Sequence, residues 1–410
     1  MSAPVLVLNT GSSSLKYRVV DATDGGVAAS GLVERIGEPG SRVVHTVVHT
    51  TGAEEHVRER DLDDHEAAVA AALDAFTEHG PDLAHLGLVA VGHRVVHGGT
   101  RFSEPVLVDD DLVAAVHELA PLAPLHNPAN AVGLEAARRV FADLPHVAVF
   151  DTAFHATLPP AAHTYAVPAA WREAGVRRYG FHGTSVAFVS RAAAAALGRP
   201  LAETRQIVLH LGNGASATAV DGGRSVETSM GLTPLGGLVM GSRSGDLDPA
   251  VLGHVRRELG LSADDVDRAL NTSSGLRGLA GDNDMRGVVA AADVGDEDAA
   301  LALDVYCHRI RAYVGAYLAA LGGLDAVVLT GGVGENAAPV RARALAGLAH
   351  LGIEVDAARN DAARGPRSAV RISPDGSPVA VLVVPTDEEW EIARQAVAVL
   401  GSQGAPTVEP

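Results

Sequence analysis

Lys16 is the only lysine among 32 basic residues, the other 31 being arginines. It closes the string Asn9-Thr10-Gly11-Ser12-Ser13-Ser14-Leu15-Lys16. An ammonium is a compact point charge that enters a crowded phosphate site, whereas the planar fork of arginine needs room and two-point geometry. A lysine kept beside a Gly/Ser turn in an arginine-rich chain therefore points to phosphate. A Walker A loop would need Gly-x-x-x-x-Gly-Lys-Ser/Thr, and Lys16 follows Leu15. The Gly331–Gly334 turn lacks the full dinucleotide fingerprint. What remains is a pair of glycine-rich hairpins, one after Asn9 and one at Gly212-Asn213-Gly214, whose backbone N–H groups can cradle phosphates.

The elements that carry these turns repeat. Val5 to Leu8 reads as a buried strand, followed by the Gly/Ser turn, a second strand to Asp21 and a Gly25-Gly26 turn into a third. Ile207 to Leu211, the Gly212–Gly214 turn, Ala215 to Asp221 and Gly222-Gly223 follow the same order, which reads as an internal duplication. Between and after them helices and strands alternate. Asp63 or Asp64 caps a helix with Val69, Leu73 and Phe76 on one face, and Asn127-Pro128 starts another that runs to about Asp143. His146 to Phe150 is a strand with Asp151 at its carboxyl end. Leu303 to Leu321 has helical spacing, Leu324 to Leu329 is a strand, and Thr330 to Asn336 turns from it into another helix. Val379 to Val384 is the last strand, Asp387 begins the last helix, and Gly401 to Pro410 reads as a frayed end. The alternation places the chain in the α/β class, with domains packed around a cleft.

Composition narrows the function. At 410 residues, 47% hydrophobic and 20% charged, the chain is long enough for two or three folded domains. A net charge of −18 argues against nucleic acid and anionic membranes, which both need a basic surface. Clustered arginines can still make a cleft positive for a small anion. One cysteine, Cys307, allows no internal disulfide, and with no basic leader or membrane-length apolar run the expected location is cytoplasmic.

Nine strings then resemble one family, in order. They are VLVLNTGSSSLKY from Val5, GHRVVHGG from Gly92, PLHNP from Pro124, VFDTAFH from Val149, YGFHGTS from Tyr179, HLGNG from His210, GLTPLGGLVMGSRSGD from Gly231, GVGEN from Gly332 and PTDEE from Pro385. Together they resemble acetate kinase over nearly the whole chain. The resemblance implies a duplicated two-domain α/β fold of the actin, Hsp70 and sugar-kinase group, ribonuclease H-like, with an interdomain active-site cleft. It implies domains at 1–151 plus 386–410 and at 152–385, the second binding nucleotide and joining a homodimer. It also implies reversible, Mg2+-dependent transfer between ATP/ADP and acetate/acetyl phosphate, with Mn2+ as the alternative metal. Propionate or butyrate as acceptor, a sugar kinase, and a nucleotide-gated binding protein of the actin or Hsp70 type are the competing readings.

Site residues follow the matched motifs. Asn9 and Glu388 correspond to the magnesium-associated pair, a sparse donor set of the kind this ion accepts. Ser12, Ser14 and Lys16 would hold phosphoryl oxygens. Arg94 and Arg243 match the active-site arginines, suited to a carboxylate meeting a phosphoryl group. His182, ahead of a helix near Thr184-Ser185, can donate to the transferring group. His126 and His210 match substrate- and nucleotide-side positions. Val96, Leu125 and Pro234 match an apolar pocket for the acetate methyl. His210, Leu211, Gly212, Asn213, Gly214, Asp284, Met285, Arg286, Gly332, Val333, Gly334, Glu335 and Asn336 match the nucleotide site. Asp151 is catalytic in the family, yet a carboxylic acid of pKa about 4 to 5 is already ionised at neutral pH and needs no base. Asp151 is therefore expected to orient Arg94, a metal-bound water or the substrate. Thr10 and Asp387 depart from the family's commoner residues, the second adding negative charge near Glu388.

Overall fold

The two apolar runs that open the repeats become the strands at the heart of two sheets. The computed structural model describes residues 2–124 and 126–403. It divides into two compact units, Met1–Ala153 with Asp387–Pro410, and Phe154–Thr386. The first unit holds β1 (Pro4–Thr10), β2 (Ser14–Asp21), β3 (Val27–Glu34), β4 (Arg42–His49), β5 (Gly52–Glu59), β6 (Ala90–Val95), β7 (Val106–Leu107) and β8 (His146–Phe150), in the order β5-β4-β3-β2-β1-β6-β8-β7. The second holds β9 (Arg205–Leu211), β10 (Ala215–Asp221), β11 (Arg224–Thr228), β12 (Ala326–Thr330), β13 (Val370–Arg371) and β14 (Ala380–Val383), in the order β11-β10-β9-β12-β14-β13.

The duplication extends to pairing. In each sheet the hairpin strands are antiparallel, the first strand pairs in parallel with a crossover strand that pairs in parallel with the next, and a short antiparallel strand finishes the row. Even the bulge recurs, between Val19 and Val20 in the first unit and between Ala219 and Val220 in the second. This is the ribonuclease H-like arrangement twice over, the fold of the actin and sugar-kinase group.

Alternation along the strands sorts side chains onto two faces. In the first unit Leu6, Leu8, Leu15, Tyr17 and Val91 pack with Ala68, Val69, Ala72 and Phe76 of the helix His65–His79. Val5, Val7, Val20, Ala90, Val147 and Val149 face the other way, onto Ile392, Ala393 and Ala396 of the helix Glu388–Gln403. That last helix approaches closely because β6 has a glycine beneath it: a Cβ on Gly92 would lie 2.8 Å from Ile392 Cγ2. In the second unit Val186, Val189 and Ala193 of the helix Gly183–Ala196 cover Val208, Val220, Val328 and Leu382. The helix Glu297–Leu321 packs on β9 and β10.

Local differences from the sequence reading have physical causes. His126, rather than Asn127, is the N-cap of the helix Asn127–Val140. The Asn127 amide is spent on the chain after β6, accepting from the His97 N–H at 3.1 Å and donating to the His97 carbonyl at 3.0 Å. The polar hairpin of β4 and β5 lacks an apolar rhythm on its edge strand, where only His56 is other than exposed. Asp64, by contrast, caps its helix as the pattern predicts, accepting from the Ala67 N–H at 2.8 Å. Helix Glu388–Gln403 continues through part of the end that reads as frayed, and residues 404–410 lie outside the described residues. No helix among the described residues is long and apolar enough to cross a membrane.

Gly92→Val should force the last helix off β6 and cost about 1–3 kcal/mol, as overpacking does. Urea unfolding would show a lower midpoint at unchanged slope. An unaltered midpoint would mean that the helix does not rest on this glycine.

Candidate active site

Sheet register builds the first cluster. Asn9 lies opposite Lys16 on β2 and opposite Arg94 on β6, and Arg94 lies beside Val149 on β8. Residues in register share a face, so Lys16, Asn9 and Arg94 form one row at the carboxyl ends of β1 and β6. Asp151, two residues past Val149, continues it. This is the end of a parallel sheet where open α/β folds bind ligands. The same face carries the helix Glu388–Gln403, whose first turn delivers Glu388 and Glu389 to the row.

Arg94 ties the row together. Its Nε donates to Asp151 Oδ1 at 3.1 Å and its Nη2 to Asp151 Oδ2, a two-point ion pair. Nη1 donates to Asn9 Oδ1 at 3.3 Å, and Nε lies 3.6 Å from Glu388 Oε2. Asp151 is 1% exposed. Burial, reinforced by the charges of Asp151 and Glu389 against the pull of Arg94, pushes the Glu388 carboxyl above the usual carboxylate range. A carboxylate held this way gains from any further cation brought beside it.

Lys16, expected in a crowded phosphate site, is 61% exposed on β2 with its ammonium 3.9 Å from Glu389. Arg18, two residues on, pairs with Asp387 at 2.8 Å. The turn before Lys16 is pinned from behind: Gly11 N–H donates to the Ser14 carbonyl at 2.8 Å and the Gly11 carbonyl meets His65 Nε2 at 2.8 Å. Ser12 is exposed and Ser14 half-buried on this turn, open to an anion. Val96 is buried at the end of β6, its N–H bound to Asn130 Oδ1 at 3.0 Å. Leu125 lies outside the described residues. Pro234 belongs to the second unit, where its carbonyl accepts from Arg243 at 2.7 Å.

The second cluster gathers at the equivalent turn of the second unit. Gly212 N–H donates to the Gly214 carbonyl at 2.9 Å, as Gly11 does to Ser14. His182 is the N-cap of the helix Gly183–Ala196 and sits in the left-handed region, φ 58° and ψ 23°. A non-glycine residue there costs about 1–2 kcal/mol. Two contacts hold it: His182 Nδ1 meets Ser216 Oγ at 3.0 Å, and the ring stacks on His210 with centroids 4.2 Å apart. His210 is anchored in turn, its Nδ1 2.8 Å from Ser185 Oγ, which lies 2.8 Å from Thr386 Oγ1. A Cβ on Gly214 would stand 3.2 Å from Arg243 Nη2 and 3.4 Å from His182 Nε2, so its absence lets both side chains converge on the turn. Among the described residues Arg243 makes no ion pair, and burial pulls its pKa below the usual arginine value. A half-buried guanidinium without an acid is a group waiting for an anion.

Beside this turn is a cavity of about 1070 Å3, lined by Gly212, Asn213, Asp284, Met285, Arg286, Gly332, Val333 and Asn336. Asp284 is largely committed already: it caps the helix Met285–Asp293 through the Arg286 N–H at 2.9 Å and pairs with the Arg286 guanidinium at 2.6 Å. Its hydrogen bonds to Arg286 hold its carboxyl down to about 2. Met285 is 5% exposed. Glu335 braces the loop itself, accepting from Gly331 N–H at 3.0 Å and Thr386 N–H at 3.2 Å. Gly331 sits at φ 76°, and a Cβ there would lie 2.8 Å from the Leu211 carbonyl oxygen, so the start of the helix Gly331–Asn336 requires glycine. Gly334 is buried with its carbonyl turned to Arg341. The supporting residues Asn130, Ser185, Ser216 and Thr386 carry no spacing signal of their own. Only their place inside or beside the rarer motifs could have marked them.

Glycine turns on duplicated sheets, a carboxylate-bound arginine, a second arginine without an acid and a large cavity define a phosphotransferase with a carboxyl group as acceptor. Residues 4–394 match the acetokinase family, and the chain belongs to it. It is 59% identical over 395 residues to the acetate kinase of Clavibacter michiganensis, covering 96% of this chain and 98% of that one. Among solved structures it resembles Porphyromonas gingivalis acetate kinase, with TM-score 0.92, 43% identity and coverage of 97% and 100%. It also resembles a propionate kinase from Francisella tularensis, with TM-score 0.88, 40% identity and coverage of 96% and 98%.

His155, four residues past Asp151, carries a pH dependence. It is fully buried, with Nε2 2.9 Å from the Phe181 carbonyl and Nδ1 2.9 Å from Ser225 Oγ, and burial pulls its pKa down to about 4. Between that value and the unfolded one near 6.5, the unfolded chain binds the extra proton. Its contribution, up to about 3 kcal/mol, is complete above about pH 6.5 and is lost as pH falls toward 4. His155→Gln should make the urea midpoint fall less steeply over that range than in the wild type, and an equal slope would refute the assignment.

Proposed function

We propose that the chain transfers the γ-phosphoryl group of ATP reversibly to acetate, giving acetyl phosphate and ADP, by direct in-line displacement. The observation that carries this reading is the two-point bond between Asp151 and Arg94. A sugar hydroxyl needs a free base to become a nucleophile, and here the carboxylate at that position is committed to a guanidinium. An ionised acetate needs none. Catalysis then reduces to positioning and charge stabilisation of a phosphoryl group with little covalent work for the protein.

Roles follow from what each group can do. Arg94 binds the acceptor carboxylate, and Asp151 fixes its orientation. Arg243 and His182 donate to the phosphoryl oxygens as negative charge redistributes over them. Ser12, Ser14 and Lys16 add donors on the first unit's turn. The cavity formed by Gly212, Asn213, Asp284, Arg286, Gly332, Val333 and Asn336 takes the nucleoside, with Leu211 and His210 supporting its floor. Asn9 Oδ1 and Glu388 fit magnesium, which accepts one or two protein oxygens beside water and phosphate, and Mn2+ suits the same donors. When bound, the ion would neutralise phosphate charge. The destabilised carboxylate of Glu388 is the feature that favours it. Val96, buried two residues past Arg94 in the first unit, supplies apolar contact for the methyl group.

Propionate is the second acceptor to consider, because one structural relative is a propionate kinase and one methylene in an apolar pocket changes affinity by only about 1–3 kcal/mol. We further infer a homodimer joined through the second unit, which exposes Leu259 at 68%, Leu301 at 54% and Val294 at 85%. A cytoplasmic location accords with the acidic charge and the single buried Cys307.

The test is acyl-phosphate formation from MgATP, trapped by hydroxylamine, with acetate, propionate, butyrate and glycerol. Signal should be greatest with acetate, fall with chain length and be absent with glycerol. Arg94→Ala and Arg243→Ala should each lower kcat by at least about a hundredfold, the scale of losing one preorganised oxyanion donor, while the KM for ATP changes far less. Acyl phosphate from none of the acids, with ATP still bound, would overturn the reading.

A further inference from the structure

Arg341 is 0% exposed and heads the fully buried side chains by size. Among the described residues no acid is within ion-pair distance of it. Its partners are neutral: Nε donates to Asn360 Oδ1 at 2.7 Å, Nη2 to the Asn360 and Ala363 carbonyls at 2.7 Å each, and Nη1 to the Gly334 carbonyl at 3.0 Å. Asn360 is itself fixed, donating to the Ala338 carbonyl at 2.9 Å. An apolar residue would pack here at less desolvation cost, so the guanidinium is kept for what its fork joins. It joins the short helix Gly331–Asn336, one wall of the large cavity, to the stretch that ends the helix Ala357–Ala362.

The residue after Ala363 is Arg364, which lines that cavity beside Asn336, Ala337 and Pro339. The far side of Arg364 is tied down too, Gly365 N–H donating to the Glu335 carbonyl at 3.3 Å. Arg364 is exposed, and among the described residues its side chain makes no hydrogen bond or ion pair. Arg286, the other arginine on the wall, is neutralised by Asp284. Arg364 is therefore an unbalanced cation held in place by a buried one. Leu276, Met285, Val289 and Val333 give the same cavity an apolar lining suited to a flat base, while the polyphosphate has the glycine turn, His182 and Arg243. A guanidinium stacks on an aromatic face or donates to its acceptor edge, and Arg364 is placed to do so.

We propose that Arg364 is a specificity-determining contact for the nucleoside part of the nucleoside triphosphate, and that Arg341 is the positioning residue that sets it there. This rests on the reading of the cavity as the nucleotide site.

Arg364→Gln, on an exposed side chain, tests it in the intact enzyme. The KM for MgATP should rise roughly 3- to 30-fold, the scale of one cation–π contact, with a smaller change in kcat and in the KM for acetate. Inhibition by inorganic tripolyphosphate, which has no base, should be unaltered. Arg341→Lys should also raise the KM for MgATP, and less than additively with Arg364→Gln because both act through one contact. An unchanged KM for MgATP in Arg364→Gln, or an equal loss of tripolyphosphate inhibition, would overturn the nucleoside contact, and additive effects would overturn the positioning role. Absence of any ADP-induced rise in the melting temperature of the wild type would instead remove the nucleotide-site reading beneath it.

Discussion

The bond between Arg94 and Asp151 is the constraint from which the chemistry of the first unit follows. Asp151 is almost wholly buried, and a buried carboxylate is costly unless it is paired and hydrogen-bonded. Arg94 supplies that partner, and Asp151 in turn fixes the guanidinium plane through two hydrogen bonds. Removing either partner of such a pair costs about 3–5 kcal/mol because the other is left buried and alone. The pair also decides the reaction class. A carboxylate engaged in this way serves orientation better than proton abstraction, and only an acceptor that arrives ionised can do without a base.

The second unit solves the complementary problem. Arg243 is left without an acid, and His182 is held in a left-handed conformation by Ser216 and by the stacked ring of His210. Local strain tolerated at one residue and a charge left unbalanced at another are both features that a purely structural region would lose. The duplicated sheet thus carries opposite chemistry at equivalent strand ends: balanced charge around Arg94, unbalanced positive charge around Arg243. Both clusters rely on glycine, Gly92 admitting the helix that brings Glu388 and Gly214 admitting the side chains of Arg243 and His182.

Much of this was legible in the sequence, for definable reasons. Glycine-rich turns after short apolar strands have few alternative structures, so both hairpins and the duplication could be read directly. Asp151 stands just past the strand His146–Phe150 that the apolar run predicts, whereas Arg94 is marked by its motif and not by a predicted strand. Other features depend on tertiary contacts and leave no local trace. Asn127 looks like a helix cap and is used to hold the chain at His97. Glu335 belongs to a nucleotide motif, yet its carboxylate braces its own loop. Lys16 is singular in composition but exposed beside Glu389, and Arg341 is one arginine among many until its four neutral partners are seen.

The central claim is that Asp151 orients Arg94 and removes no proton. It is tested most directly by the pH dependence of kcat for Asp151→Asn with acetate between about pH 6 and 9, where the acceptor is fully ionised. The account predicts a turnover lowered by a similar factor across the range, because the lost function is geometric. A rate that climbs back about tenfold per pH unit, hydroxide replacing the missing base, would contradict it.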